Sequence, residues 1–100
     1  MLWAISCVDK PDTATLRETH MKPHRGYLDE RSSILVLAGA TLTDDGMQPT
    51  GSLFIINVGT SAEAKAFSAD DPFTQAGIFA RITITRMRKS QWNPQAAENA

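Results

Sequence analysis

The chain has 100 residues, 42% of them hydrophobic and 21% charged, with ten basic and eleven acidic side chains and a formal net charge of −1. This is the make-up of one globular domain with one modest core. It offers no basic surplus for nucleic acid or an anionic membrane surface. The single cysteine, Cys7, supports neither an internal disulfide nor a Cys-based zinc site.

The opening Met1-Leu2-Trp3-Ala4-Ile5-Ser6-Cys7-Val8 lacks a basic n-region and meets a charge at Asp9. It reads as a buried first strand, residues 2–8, rather than a signal peptide, and a cytoplasmic location is the default expectation. Asp9-Lys10-Pro11-Asp12 ends the strand. Residues 13–30 carry a helical pattern, with Leu16, His20, His24 and Leu28 four apart on one face and Met21 and Tyr27 beside it. Pro23 removes a helical hydrogen bond and crowds the turn before it, so a kink or restart is expected near Lys22.

A second strand is predicted over 33–40, whose apolar run is too short to span a bilayer. Thr43-Asp44-Asp45-Gly46-Met47-Gln48-Pro49-Thr50 is dense in turn formers, and a third strand follows over 51–58, antiparallel to the second. Thr60 or Ser61 caps a helix over 61–69, with Glu63 in its first turn and Ala64, Phe67 and Ala66 facing inward. Asp71-Pro72 opens a second, very short helix over 71–76, because an Asp caps free backbone N–H groups and Pro at the first helical position forfeits none that is needed. Gly77 closes it in the left-handed conformation that other residues resist. A fourth strand runs over 78–87, and the end of the chain, about 95–100, reads as a flexible tail behind a single 1–94 domain.

The order β-α-β-β-α-β is that of the ferredoxin-like split unit, an α+β fold with one antiparallel sheet. Helices cover one face of such a sheet. Trp3, Ile5, Phe54, Ile56, Phe79 and Ile82 read as too many large apolar residues for that one side, so the open face is expected to pack against a second copy.

His20 and His24 at i, i+4 have a zinc-compatible spacing, but His20-Met21-Lys22-Pro23-His24 has no Glu at the metalloprotease position and names no further ligand. No metal is assigned. No phosphate-binding loop, dinucleotide fingerprint or nucleophile elbow is present, and no cofactor is assigned. Taken alone, His24 fits a half-buried helix histidine and Asp71 a helix cap, while Cys7 fits a small hydrophobe in a buried strand.

Four segments in order change that balance: Pro23-His24-Arg25-Gly26-Tyr27-Leu28, Ala38-Gly39, Gly51-Ser52 and Asp71-Pro72-Phe73-Thr74-Gln75-Ala76-Gly77, with Leu2-Trp3-Ala4-Ile5 and Asp9-Lys10-Pro11 ahead of them. Together they resemble the YciI-like (YCII-related) family across residues 1–94. The resemblance implies a dimeric α/β barrel related in fold to muconolactone isomerase. It also implies a pocket holding a His–Asp pair, whose matching positions are His24 and Asp71. A family member removes chloride from a chlorinated hydroxyhydroquinone.

An Asp bonded to one imidazole nitrogen fixes the tautomer and raises the basicity of the other, which suits His24 to general acid–base work. The expected reaction is therefore an isomerisation or elimination on a small, aromatic substrate. Phe73, Phe79 and Trp92 are candidate apolar walls, and Gly39 and Ser52, in the matching segments, join them as substrate-binding candidates. The alternative is a binding or stress-related module that keeps the fold without turnover.

Overall fold

A computed structural model describes residues 1–100. The elements are β1 (Leu2–Asp9), α1 (Ala14–Glu30), β2 (Leu35–Leu42), β3 (Pro49–Asn57), α2 (Ser61–Asp70), α3 (Pro72–Gln75) and β4 (Phe79–Met87), followed by an exposed 3-10 turn at Pro94–Ala97. The four strands form one sheet in the order β2-β3-β1-β4, all neighbours antiparallel. This is the ferredoxin-like α+β arrangement, with β1 and β3 central.

Strand alternation sorts the side chains between the two faces. Trp3, Ile5 and Cys7 of β1 point to the helices, and their partners across the ladder include Phe54, Ile56, Ile82 and Ile84. With Ala64 and Phe67 from α2, Phe73 from α3, and Ile78 and Phe79, these residues make the core. The six apolar residues counted above as a surplus over two faces thus all belong to the helix-covered side. The core absorbs them because α3 adds Phe73 as a further layer, which the count did not allow for. The open face carries a different apolar set, in which Leu37, Leu53 and Met87 are exposed.

Four further expectations are corrected. The helix α1 runs unbroken through Pro23, with no restart near Lys22. Pro23 lies on the exposed side, so the Thr19 carbonyl left without an amide partner is open to water. The inward stripe of α1 is Arg17, Met21, His24 and Leu28, and Leu16 is exposed; packing selects the phase of the helix, and a polar Arg with partners wins over an apolar neighbour. In α2, Ala64, Phe67 and Ser68 are buried and Ala66 is exposed. The edge strand β2 also begins two residues later than the apolar run, because Arg31–Ile34 first closes a turn (Ile34 N to Arg31 O, 3.1 Å).

Both local caps form. Thr60 accepts the Glu63 amide at 3.1 Å at the start of α2. Asp71 accepts the Phe73 amide at 2.9 Å at the start of α3. At the end of α3, Ile78 N bonds Phe73 O and Gly77 N bonds Thr74 O, a Schellman pair, with Gly77 at φ +76°. That turn aims the chain into β4.

Candidate active site

Between α1 and the β2–β3 half of the sheet lies a cavity of about 300 Å³. Arg17, Met21, His24 and Leu28 form its roof, Gly39, Ser52 and Phe54 its floor, and Phe73 one wall. The volume sits at the lower end of the ~300–1,000 Å³ typical of small-molecule sites.

His24 and Asp71 meet at one end. Asp71 is 1% exposed. Its Oδ1 accepts two hydrogen bonds, from the Phe73 amide at 2.9 Å and from His24 Nδ1 at 2.7 Å. A carboxylate can only accept, so the bond places a proton on Nδ1, and in the neutral imidazole the lone pair is then on Nε2. The cap and the imidazole contact use one oxygen together, so helix geometry and ring orientation are fixed by the same carboxylate. The His24 ring also lies flat on Phe73, with centroids 3.8 Å apart and planes 1° apart. Two independent contacts therefore hold the ring.

Nε2 has no protein partner. The only side-chain N or O atom sealed away without a partner in the whole chain is Thr74 Oγ1, so Nε2 is not sealed away, and His24 lines the cavity.

The cavity is also lined by Arg17, which sequence reasoning passed over. Its guanidinium pairs with Asp9 through Nε–Oδ2 at 2.7 Å and Nη2–Oδ1 at 3.0 Å. Nη2 also donates to the Gly51 carbonyl at 2.7 Å and to Ser52 Oγ at 3.1 Å. The Arg17 and Asp9 side chains are 6% and 8% exposed. Arg17 further stands over the Phe73 ring, 5.1 Å from its centroid. The signal for both residues was present in the sequence. Continuing the alternation Trp3, Ile5, Cys7 brings Asp9 to the covered face, and stepping back from His24 by seven residues, two helical turns, gives Arg17.

Cys7 lies across the ladder from Ser52. Burial, then the charges of Asp71 and Asp9, push its thiol from 9.0 up to about 12. It is a neutral neighbour of the site rather than a nucleophile.

Of the residues singled out from sequence, His24, Phe73, Gly39 and Ser52 line the cavity, and Asp71 stands directly behind His24. Phe79 does not reach it. It is buried beneath Phe73 in an edge-to-face contact, centroids 6.3 Å apart, and supports the wall from below. Trp92 is 58% exposed and borders a separate trough with Leu37, Ile55 and Met87, since the chain after β4 leaves the sheet away from α1. His20 is half-buried on α1 and does not line the cavity, and no cluster of three or more metal-ligating side chains exists. No helix is long and apolar enough to cross a membrane.

Among solved structures, 5-chloro-2-hydroxyhydroquinone dehydrochlorinase from Burkholderia phenoliruptrix, in complex with 2,5-dihydroxybenzoquinone, superposes with a TM-score of 0.81. It is 30% identical, over 88% of this chain and 94% of that one. An antibiotic biosynthesis monooxygenase superposes at 0.53 with 15% identity, over 91% of this chain and 100% of that one, a likeness of fold alone. No functionally curated protein matches the sequence. The YCII-related domain family matches residues 1–88, and with the β-α-β-β-α-β fold already described this chain belongs to that family.

Proposed function

We propose that the protein is a small-molecule lyase or isomerase in which His24, oriented by Asp71, moves a proton to and from a planar ring substrate. The observation that carries this reading is the 2.7 Å bond between His24 Nδ1 and Asp71 Oδ1 at the end of a cavity of single-ring size. The similarity to a dehydrochlorinase points to elimination of HCl from a chlorinated hydroxyhydroquinone. In that reaction a ring hydroxyl gives its proton to Nε2 and its electron pair closes a carbonyl. The carbon bearing chlorine takes up a proton. Loss of a second hydroxyl proton then expels the C–Cl pair as chloride, and the sum is substrate minus HCl. The only catalytic group these steps need is a base that recovers its proton, a role worth typically ~10²–10⁴-fold.

The test is chloride release from 5-chloro-2-hydroxyhydroquinone by the purified protein, followed against pH. Release that depends on His24 supports the reading. Tight binding of the ring without release moves the protein to the alternative, a binding module on the same fold.

The proposal includes a homodimer with open sheet faces together. Its support is the exposed apolar set Leu37, Leu53 and Met87 beside half-buried Ile55. Sedimentation at low micromolar concentration should show no stable monomer, and a well-behaved monomer there would remove this part.

A further inference from the structure

Arg17 is a buried cation with more donors than the protein uses. Its Nε and Nη2 are occupied by Asp9, Gly51 and Ser52. Its Nη1 has no protein acceptor, yet it is not sealed away, since Thr74 Oγ1 is the only such atom. Arg17 lines the cavity, and Nη1 is the nitrogen of its fork that the protein leaves without an acceptor. Ser52 adds to it. Its Oγ accepts from Arg17 at 3.1 Å, which leaves the hydroxyl proton free to donate. Two donors, one of them charged, thus stand together in the cavity that His24 also lines.

We infer that Arg17 Nη1 and the Ser52 hydroxyl form an oxyanion subsite that selects the ionised, phenolate or enolate, form of a planar ring ligand. Asp9 is the positioning residue. It holds the fork by two bonds so that only Nη1 is left to turn to the ligand, and Gly51 O fixes the fork from β3. Phe73 carries the guanidinium and the imidazole on one ring, which sets the two ends of the ligand at a fixed separation. A phenolate oxygen on Arg17 and Ser52 would hold the rest of the ring toward Nε2. The inference deepens the proposed acid–base reading and rests on the same cavity, but it concerns binding and is tested without turnover.

The ionisable groups around such an oxyanion are Arg17, His24 and rim Arg25 from α1, Asp9 and Cys7 from β1, and Asp71 ahead of α3. The lining from β2 and β3, Ala38, Gly39, Ala40, Ser52 and Phe54, brings none. Asp9 is bonded to Arg17, and Asp71 to His24, so each carboxylate is turned away from the cavity by its own partner.

The experiment is a spectroscopic titration of 4-nitrophenol, whose yellow phenolate and colourless phenol coexist near neutral pH, with the full-length protein. On binding, its pKa should fall by about 1–3, the range for an acid set beside an arginine. Ser52→Ala should keep the fold and weaken phenolate binding roughly two- to tenfold while leaving binding of the neutral phenol unchanged. The paired variant Asp9→Asn with Arg17→Gln removes both charges together and so buries no lone charge, and it should abolish the shift. In His24→Gln and Arg25→Ala the shift should persist. No binding up to the solubility limit, binding that favours the neutral phenol, or a shift that survives the paired variant but disappears in His24→Gln would overturn the inference. A preserved phenolate preference in a protein that releases no chloride would leave the subsite standing and bring down only the catalytic reading.

Discussion

The imidazole of His24 and the phenyl ring of Phe73 lie parallel, 3.8 Å apart, and the amide of the same Phe73 donates to the carboxylate that holds the imidazole. One residue thus supports the histidine from its face and, through Asp71, from its edge. Phe73→Leu keeps the amide and loses the stack. The expected result is a stability loss of about 1–2 kcal/mol, below the ~3–5 kcal/mol of a Phe→Ala change, together with reduced turnover. Urea unfolding and a rate assay on one preparation check both. Full activity with the stability loss would mean that Asp71 alone orients the ring.

Gly51 carries a second structural demand. A Cβ there would lie 2.0 Å from the carbonyl oxygen of Cys7 on the neighbouring strand. Only backbone movement relieves that clash, and the same residue supplies the carbonyl that receives Arg17 at 2.7 Å. Gly51→Ala should therefore cost about 2–4 kcal/mol and loosen Arg17. Thermal unfolding measures the first effect. A change within about 0.5 kcal/mol, the range of ordinary surface substitutions, would contradict the close approach.

Cys7 gives a prediction on alkaline stability and reactivity. Burial and two nearby carboxylates raise its thiol from 9.0 to about 12 in the folded protein. A group with a raised folded value favours the folded state at pH below its unfolded value, and that contribution is lost as pH rises from 9.0 toward about 12. Native protein at pH 8 should resist iodoacetamide and react only as fast as it opens, while Cys7→Ala should flatten the alkaline limb of stability. Rapid alkylation of folded protein would show the thiol to be accessible and ionised.

Much of the fold was legible because its signals are local. The Thr60 cap, the Asp71-Pro72 start and the Gly77 stop each act within a few residues, and strand alternation with helical periodicity does the rest. What the chain hides is phase and partnership. The inward stripe of α1 contains Arg17 in place of Leu16 because Asp9, Gly51 and Ser52 satisfy the guanidinium, and two of these lie 34 and 35 residues away. No local rule weighs an arginine above a leucine for the interior. Pro23 misled in the same way, since the cost of a missing bond depends on whether the orphaned carbonyl meets water. The site divides likewise. His24 and Asp71 stood out through motif segments, whereas the exclusion of Trp92 and Phe79 from the cavity follows from where the chain turns after β4 and from the layer that Phe73 adds.

In the proposed reaction the charge of Asp71, acting through His24, drives proton transfer. Asp71→Asn isolates that charge. Asn caps a helix as well as Asp does, and its oxygen still accepts from both the Phe73 amide and His24 Nδ1. The measurement is kcat for chloride release from 5-chloro-2-hydroxyhydroquinone in Asp71→Asn against the parent protein, at matched folding stability. The expected result is a fall of about 10²-fold or more, with His24→Ala falling further. Turnover by Asp71→Asn at the parent rate would contradict it.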